Sequence, residues 1–174
     1  MDSSTKTRLT LEMRSPAQLV RARPNSNVRL REVEENDAQL KRIFHEVGDP
    51  HLWSAQNWVR YGSAPAKRHW LIDVDEEAAG LLTLLAGTDG GVEIVSFGLV
   101  SSQQGRGLGG AALTKAIELA WTAFGEQVSR VWLHTNNFDH PRALPNYLKR
   151  GFVVTEKVVL PVNVPGGRLP HSSW

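Results

Sequence analysis

Across 174 residues the chain carries 20 Lys and Arg against 18 Asp and Glu, a net charge of +2 that is too small to argue for a nucleic-acid partner. Its 41% apolar and 22% charged content is that of an ordinary globular domain, long enough to bury one core. There is no cysteine, which excludes disulfides, thiolate metal sites and a covalent cysteine intermediate.

The basic excess is local. Lys6, Arg8, Arg14, Arg21 and Arg23 against Asp2 and Glu12 give residues 1–24 a charge of +3, leaving −1 for the remainder. These residues show no clear periodicity, so they are expected to form a solvated basic extension, with a membrane surface or a partner as the alternative contact. Ser15-Pro16 can cap a short helix that Pro24 ends. The folded domain is expected over residues 25–160 and a mostly irregular tail over 161–174. No apolar run reaches the length of a membrane span and Met1-Asp2-Ser3 does not open a signal peptide, so a cytoplasmic protein with no membrane partner is expected.

Within that domain, residues 28–33 alternate apolar and polar as a half-buried strand does. Asn36 or Asp37 then caps a helix whose Leu40, Ile43, Phe44 and Val47 form one stripe, with Gly48 past its end. A second short helix is expected over residues 54–61. Three strands follow in quick succession, at 69–73, 79–86 and 92–100, and Asp89-Gly90 is a hairpin signal. Connections this short force antiparallel pairing.

The third of these strands runs into Gln104-Gly105-Arg106-Gly107-Leu108-Gly109-Gly110 and then a helix marked by Leu113, Ala116, Ile117, Ala120, Trp121 and Phe124, which Gly125 stops. Glycines let such a turn point its N–H groups inward. The helix that follows adds unpaired N–H groups and a positive dipole end, so the junction can cradle phosphate oxygens. Gly105, Gly107 and Gly110 satisfy the dinucleotide-binding G-x-G-x-x-G pattern. That fold, however, places the pattern after its first strand in a parallel sheet, not after an antiparallel meander. Glu126 lies about the right distance downstream but precedes the next strand. A P-loop is excluded because no Gly-Lys-Ser/Thr follows.

Residues 130–135 form the next strand, parallel to the third meander strand with the helix as crossover. Pro141 opens a further helix through Arg150, with Pro145 disturbing its first turn, and residues 153–160 form the last strand.

Three features taken together resemble the GNAT superfamily of acyl-CoA-dependent N-acyltransferases, over about residues 28–160. Gln104-Gly105-Arg106-Gly107-Leu108-Gly109 fits the signature [Q/R]-x-x-G-x-[G/A]. Glu93-Ile94-Val95 leads to it at the spacing seen in histone-acetylating members, where this glutamate is the general base. Ala143, Tyr147, Gly151 and Phe152 fit the ending A-x-x-x-Y-x-x-x-G-F. His140 stands where many members have asparagine, a departure among the local cofactor contacts. The resemblance implies a mixed α/β, mostly antiparallel sheet flanked by helices, with two parallel strands splayed at the acyl-CoA site. It also implies that the amides of residues 104–110 hold the pyrophosphate of acetyl-CoA, while Phe97, Gly98, Leu99 and Val100 pair with its amide-bearing arm. Arg106 is placed either to reach a phosphate or to lie in solvent.

An alkyl ammonium with a pKa near ~10 is about one-thousandth deprotonated at neutral pH, so acetylating an amine calls for a base. Glu93, among Val92, Ile94, Val95 and Phe97, is the candidate, its pKa raised by burial; the alternative is a strand glutamate facing solvent or an arginine. His134 is the rival base, or a structural hydrogen-bonding group. Tyr147 is, by resemblance, the donor of a proton to the departing thiolate; otherwise it packs in the core with Leu144 and Leu148. Without cysteine, direct attack in a ternary complex is expected. Trp53 and Trp58, with Tyr61, form either an aromatic wall for the acceptor or ordinary packing. His45, His51, His69 and His140 lack ligand spacing, so no metal is expected.

The sequence thus points to an N-acetyltransferase acting on a primary amine, a small molecule in preference to a protein terminus or lysine. A non-catalytic acyl-CoA-binding module is the alternative, and a homodimer is compatible with either.

Overall fold

The computed structural model of the protein describes residues 5–47, 66–125 and 127–161. In chain order these form β1 (Thr5–Met13), a 3₁₀ turn (Pro16–Gln18), β2 (Val28–Val33), α1 (Ala38–Val47), β3 (Lys67–Val74), β4 (Glu77–Ala86) and β5 (Gly91–Leu99). A second 3₁₀ turn (Ser101–Gln103), α2 (Leu108–Thr122), β6 (Arg130–Asn136), α3 (Ala143–Lys149) and β7 (Val153–Pro161) complete them. The strands make one sheet in the order β2-β3-β4-β5-β6-β1-β7. Every neighbouring pair is antiparallel except β5 and β6. This is the mixed, mostly antiparallel α/β architecture that the resemblance implies.

Alternation along the central strands decides which helix covers which face. On β4, Leu82 and Leu84 join Val92, Ile94, Val131 and Leu133 against Leu113, Ala116, Ile117 and Ala120 of α2. Leu81, one residue out of step, points the other way and packs with Leu71 against Leu40 and Ile43 of α1. The expected cap of α1 is Asp37, whose Oδ1 accepts from the Leu40 N–H at 3.0 Å. At the β4–β5 turn, Gly90 adopts φ +80° and the Gly87 N–H donates to the Gly91 carbonyl at 2.8 Å.

The N-terminal residues correct the sequence reading. In place of a solvated tail, Thr5–Met13 is an interior strand, paired with β6 on one side and β7 on the other. Leu11 and Met13 are fully buried, each worth about 2 kcal/mol of apolar burial. Leu9, Leu11 and Met13 do alternate with Thr10 and Glu12, but three apolar residues in nine gave too thin a signal to see. The short helix expected to run toward Pro24 is a single 3₁₀ turn, closed by a capping box between Ser15 and Gln18. Beyond it the Val20 N–H donates to the Arg150 carbonyl, which carries the chain away across α3. The helix expected at 54–61, with Trp53, Trp58 and Tyr61, lies outside the described residues, as do His51, Glu126 and residues 162–174.

Candidate active site

The parallel pair holds together over three positions only: Gly91 with Arg130, Val92 with Val131, and Glu93 with Trp132. Beyond Glu93 the two strands separate while both continue, β5 to Leu99 and β6 to Asn136. Two features drive the parting. Val95 is an extra residue on β5, where the pairing with β4 shifts between Thr83 and Leu84, and such a bulge turns the strand. On the other side, β6 from Val131 to Asn136 is held in register by β1. A cleft of about 990 Å³ opens in the splay, lined by Phe97, Gly98 and Leu99 of β5, the glycine turn, and residues of β1, β6 and α3.

The glycine turn lines this cleft. Gly105 and Gly107 both sit at φ +74°, and Gly107 is the N-cap of α2 with no side-chain cap. The N–H groups of Gly105, Arg106, Gly107 and Leu108 meet no backbone acceptor among the described residues, and the first turn of α2 adds more free donors. Gln104 differs from the expected pattern, because its own amide is committed to the Ser101 carbonyl at 3.2 Å and its side chain to the Leu99 carbonyl at 3.0 Å. Gln104 therefore braces the turn, and the free donors begin at Gly105. The Arg106 guanidinium bonds the Gln103 side chain and Arg106 is absent from the cleft wall. Leu108 and Val100 point into the core. The cations that do face the cleft near the turn are Arg142, Lys149 and Arg150, none of which the sequence reading singled out. Asn146 ties α3 to this junction by donating to the Gly109 carbonyl at 3.1 Å.

Glu93 occupies the last paired position before the strands part. It is 8% exposed, and its Oε1 has no hydrogen-bond partner among the described residues. Burial pushes its carboxyl up to about 7, against the pull of Lys67 and Arg130. Burial likewise lowers the Lys67 ammonium to about 8, with Glu93 and Glu35 pulling it back up. His69 lies on the same face, its Nδ1 2.9 Å from the Thr83 hydroxyl, and burial with the nearby Lys67 charge lowers it to about 4. Lys67 escaped the sequence reading and His69 entered it only among the histidines without ligand spacing, because only the pairing of β3 through β4 to β5 brings them beside Glu93.

Tyr147 lies on the cleft wall from α3, 9% exposed and edge-on to Phe152 at 6.1 Å. Burial, with Asp139 nearby, raises its phenol well above the usual range, so the Oη keeps its proton. Leu148 of the same helix is exposed, not packed beside it. His134 also lines the cleft, with Nδ1 3.1 Å from the Thr10 hydroxyl and its ring edge-on to Trp132 at 5.0 Å. Burial and Arg8 hold its pKa below the usual value. Among the described residues no cluster of histidine and carboxylate groups could hold a metal.

A strand pair that parts onto a glycine turn is the geometry expected from the resemblance, and the sequence model of the Acetyltransferase (GNAT) family matches residues 30–152. This chain belongs to the GNAT acetyltransferase family. No curated protein matches it. Among solved structures it is similar to a functionally unknown conserved protein of Staphylococcus epidermidis, at 20% identity and TM-score 0.65, over 89% of this chain and 60% of that one. A GCN5-related N-acetyltransferase of Kribbella flavida is 21% identical at TM-score 0.63, over 89% of this chain and 57% of that one. An acetyltransferase of Bacillus subtilis, solved in complex with CoA, is 25% identical at TM-score 0.60, over 74% of this chain and 78% of that one. The chain thus spans less than two thirds of the first two of these proteins. Among the described residues of this GNAT domain, no helix is long and apolar enough to cross a membrane.

Proposed function

We propose that the protein transfers an acetyl group from acetyl-CoA to the primary amine of a small molecule, by direct attack in a ternary complex. The observation that carries this reading is the parting of β5 and β6 onto a turn of unpaired N–H groups. The unpaired edge of β5 at Phe97, Gly98 and Leu99 suits an amide-bearing arm. The amides from Gly105 to Gly110, backed by Arg142, Lys149 and Arg150, suit a pyrophosphate. The cleft volume of about 990 Å³ is that of a small-molecule pocket. A CoA-bound acetyltransferase of this fold supports the same donor.

Acetyl-CoA, when bound, supplies an acyl thioester open to attack by an amine. Glu93 takes the proton that the incoming ammonium must lose, directly or through water. With its pKa at about 7, Glu93 is half ionised at neutral pH, near the optimum for a base working there. Tyr147 presents a protonated Oη to the leaving sulfur. Its raised pKa makes it a poorer acid than a thiol of pKa near ~8.5, so it serves by hydrogen bonding the developing thiolate. His134, held to Thr10 with a lowered pKa, is the weaker candidate for the base.

Thermal unfolding with acetyl-CoA at about a hundredfold its Kd should show about 2.7 kcal/mol of added stability, with NAD as the inert control. Thiol release on a panel of primary amines should then fall roughly 10²-fold or more in Glu93→Gln and about tenfold in Tyr147→Phe, with acetyl-CoA affinity retained. Stabilisation by NAD alone, or thiol release that no amine accelerates, overturns the reading.

A further inference from the structure

Strand β1 brings basic residues to the cleft. The Thr10–His134 side-chain bond shows that Thr10 and His134 share a face, and the same alternation puts Lys6, Arg8 and Asn136 beside them. Lys6, Arg8, His134 and Asn136 all line the cleft.

Arg8 and Arg150 are the two cleft-lining arginines whose Nε is buried without a partner among the described residues. Arg14, Arg21, Arg31, Arg42, Arg68 and Arg130 each meet a carboxylate of the chain. Arg8 meets none among the described residues, and its Nε is buried without a partner. Two acids, one on β7 and one between β6 and α3, accept from other groups. Glu156 of β7 accepts from the Thr10 hydroxyl at 3.1 Å. Asp139 accepts from the Thr135 hydroxyl at 2.6 Å and from the Asn136 amide at 2.9 Å. A buried guanidinium nitrogen without a partner is costly unless something fills it, and a carboxylate can take two donors of the fork at once. The phosphates of CoA have their own cations beside the glycine turn: an Arg150 nitrogen lies 2.7 Å from where a Gly110 Cβ would stand, and an Arg142 nitrogen 3.9 Å from that of Gly105.

We propose that Arg8, assisted by Lys6, anchors a carboxylate on the acceptor, so that the amine substrates are amino acids or similar carboxylate-bearing amines. This rests on the acetyl-transfer reading above for the amine, but not for the anion site itself.

The test compares free amino acids with their C-terminal amides as acceptors, by thiol release, and N-acetylated amino acids with their amides as ligands, by titration in the presence of CoA. Wild-type protein should prefer the free carboxylate by about tenfold or more in both measurements. Arg8→Gln should erase that preference by raising KM at least about tenfold, with kcat and acetyl-CoA affinity little changed. Arg8→Lys, which keeps the charge but not the fork, should fall between, and it guards against misfolding of the glutamine variant. Equal use of acids and amides by the wild type, or an equal loss of acetyl-CoA affinity in Arg8→Gln, overturns the proposal. If no amine is acetylated yet the acetylated acid binds wild type and not Arg8→Gln, the anion site stands and the transfer reading falls.

Discussion

Burial raises the Glu93 carboxyl and lowers the Lys67 ammonium, and each charge pulls the other part of the way back. In the folded protein the carboxyl titrates at about 7 and in the unfolded chain near 4.5. Between these values the folded state holds a proton that the unfolded state has released, so stability falls as pH rises through that window. Above it, the buried carboxylate costs up to about 3 kcal/mol. Glu93→Gln should therefore match wild type at pH 4.5 and be the more stable protein at pH 8, by several degrees of Tm in thermal unfolding. Lys67 is the larger of the two charges that hold the carboxyl down. Lys67→Met should move the acid limb of kcat/KM to higher pH without abolishing turnover. A limb that stays in place would mean that Lys67 does not act on Glu93. Sequence could nominate Glu93 from its spacing to the glycine turn, but Lys67 lies on a different strand and carries no local signal.

At the scale of elements, the short helix α3 owes its position to its ends. The Phe152 N–H donates to the Tyr147 carbonyl and the Gly151 N–H to that of Leu148, a Schellman closure with Gly151 at φ +101°. A Cβ at Gly151 would collide with the Gln18 carbonyl. Gly151→Ala should cost about 3 kcal/mol in denaturant unfolding, from the left-handed backbone and that collision together. The same closure fixes where Tyr147 stands, which gives the Tyr-x-x-x-Gly-Phe spacing its physical content. Elements with a strong local pattern were legible. Strand β2 has the expected bounds, and β3 to β7 lie within a few residues of theirs. The turn that Pro141 opens is irregular as expected, Pro141 and Arg142 lying in a non-helical turn. The helix begins only at Ala143, so Pro145 falls at its third position, where no intrahelical N–H bond is lost.

For the whole molecule, β1 is the element that sequence reading mislaid, and with it one wall of the cleft. The glycine turn, Glu93 and Tyr147 were visible as local words in the sequence. The basic residues of β1 were counted only as charge, because their meaning depends on pairing with a strand 124 residues away. Removal of residues 1–14 would leave β6 and β7 without the strand that joins them. We expect such a truncation to lose cooperative unfolding and near-UV circular dichroism, where loss of a solvated tail would leave both intact.

The place of β1 also dictates an order of events during synthesis. Its partners span Val131–Asn136 and Val153–Pro161. At about 5–20 residues per second, the first strand is made roughly seven to thirty seconds before the last of them exists. Until β6 is made Leu9, Leu11 and Met13 must wait unpaired, and until β7 is made β1 keeps one open edge, while β2 to β5 can already zip up as a meander. The nascent chain thus carries an unpaired strand through that interval, and its lysine, arginine and glutamate positions keep the waiting edge from pairing with a neighbour's.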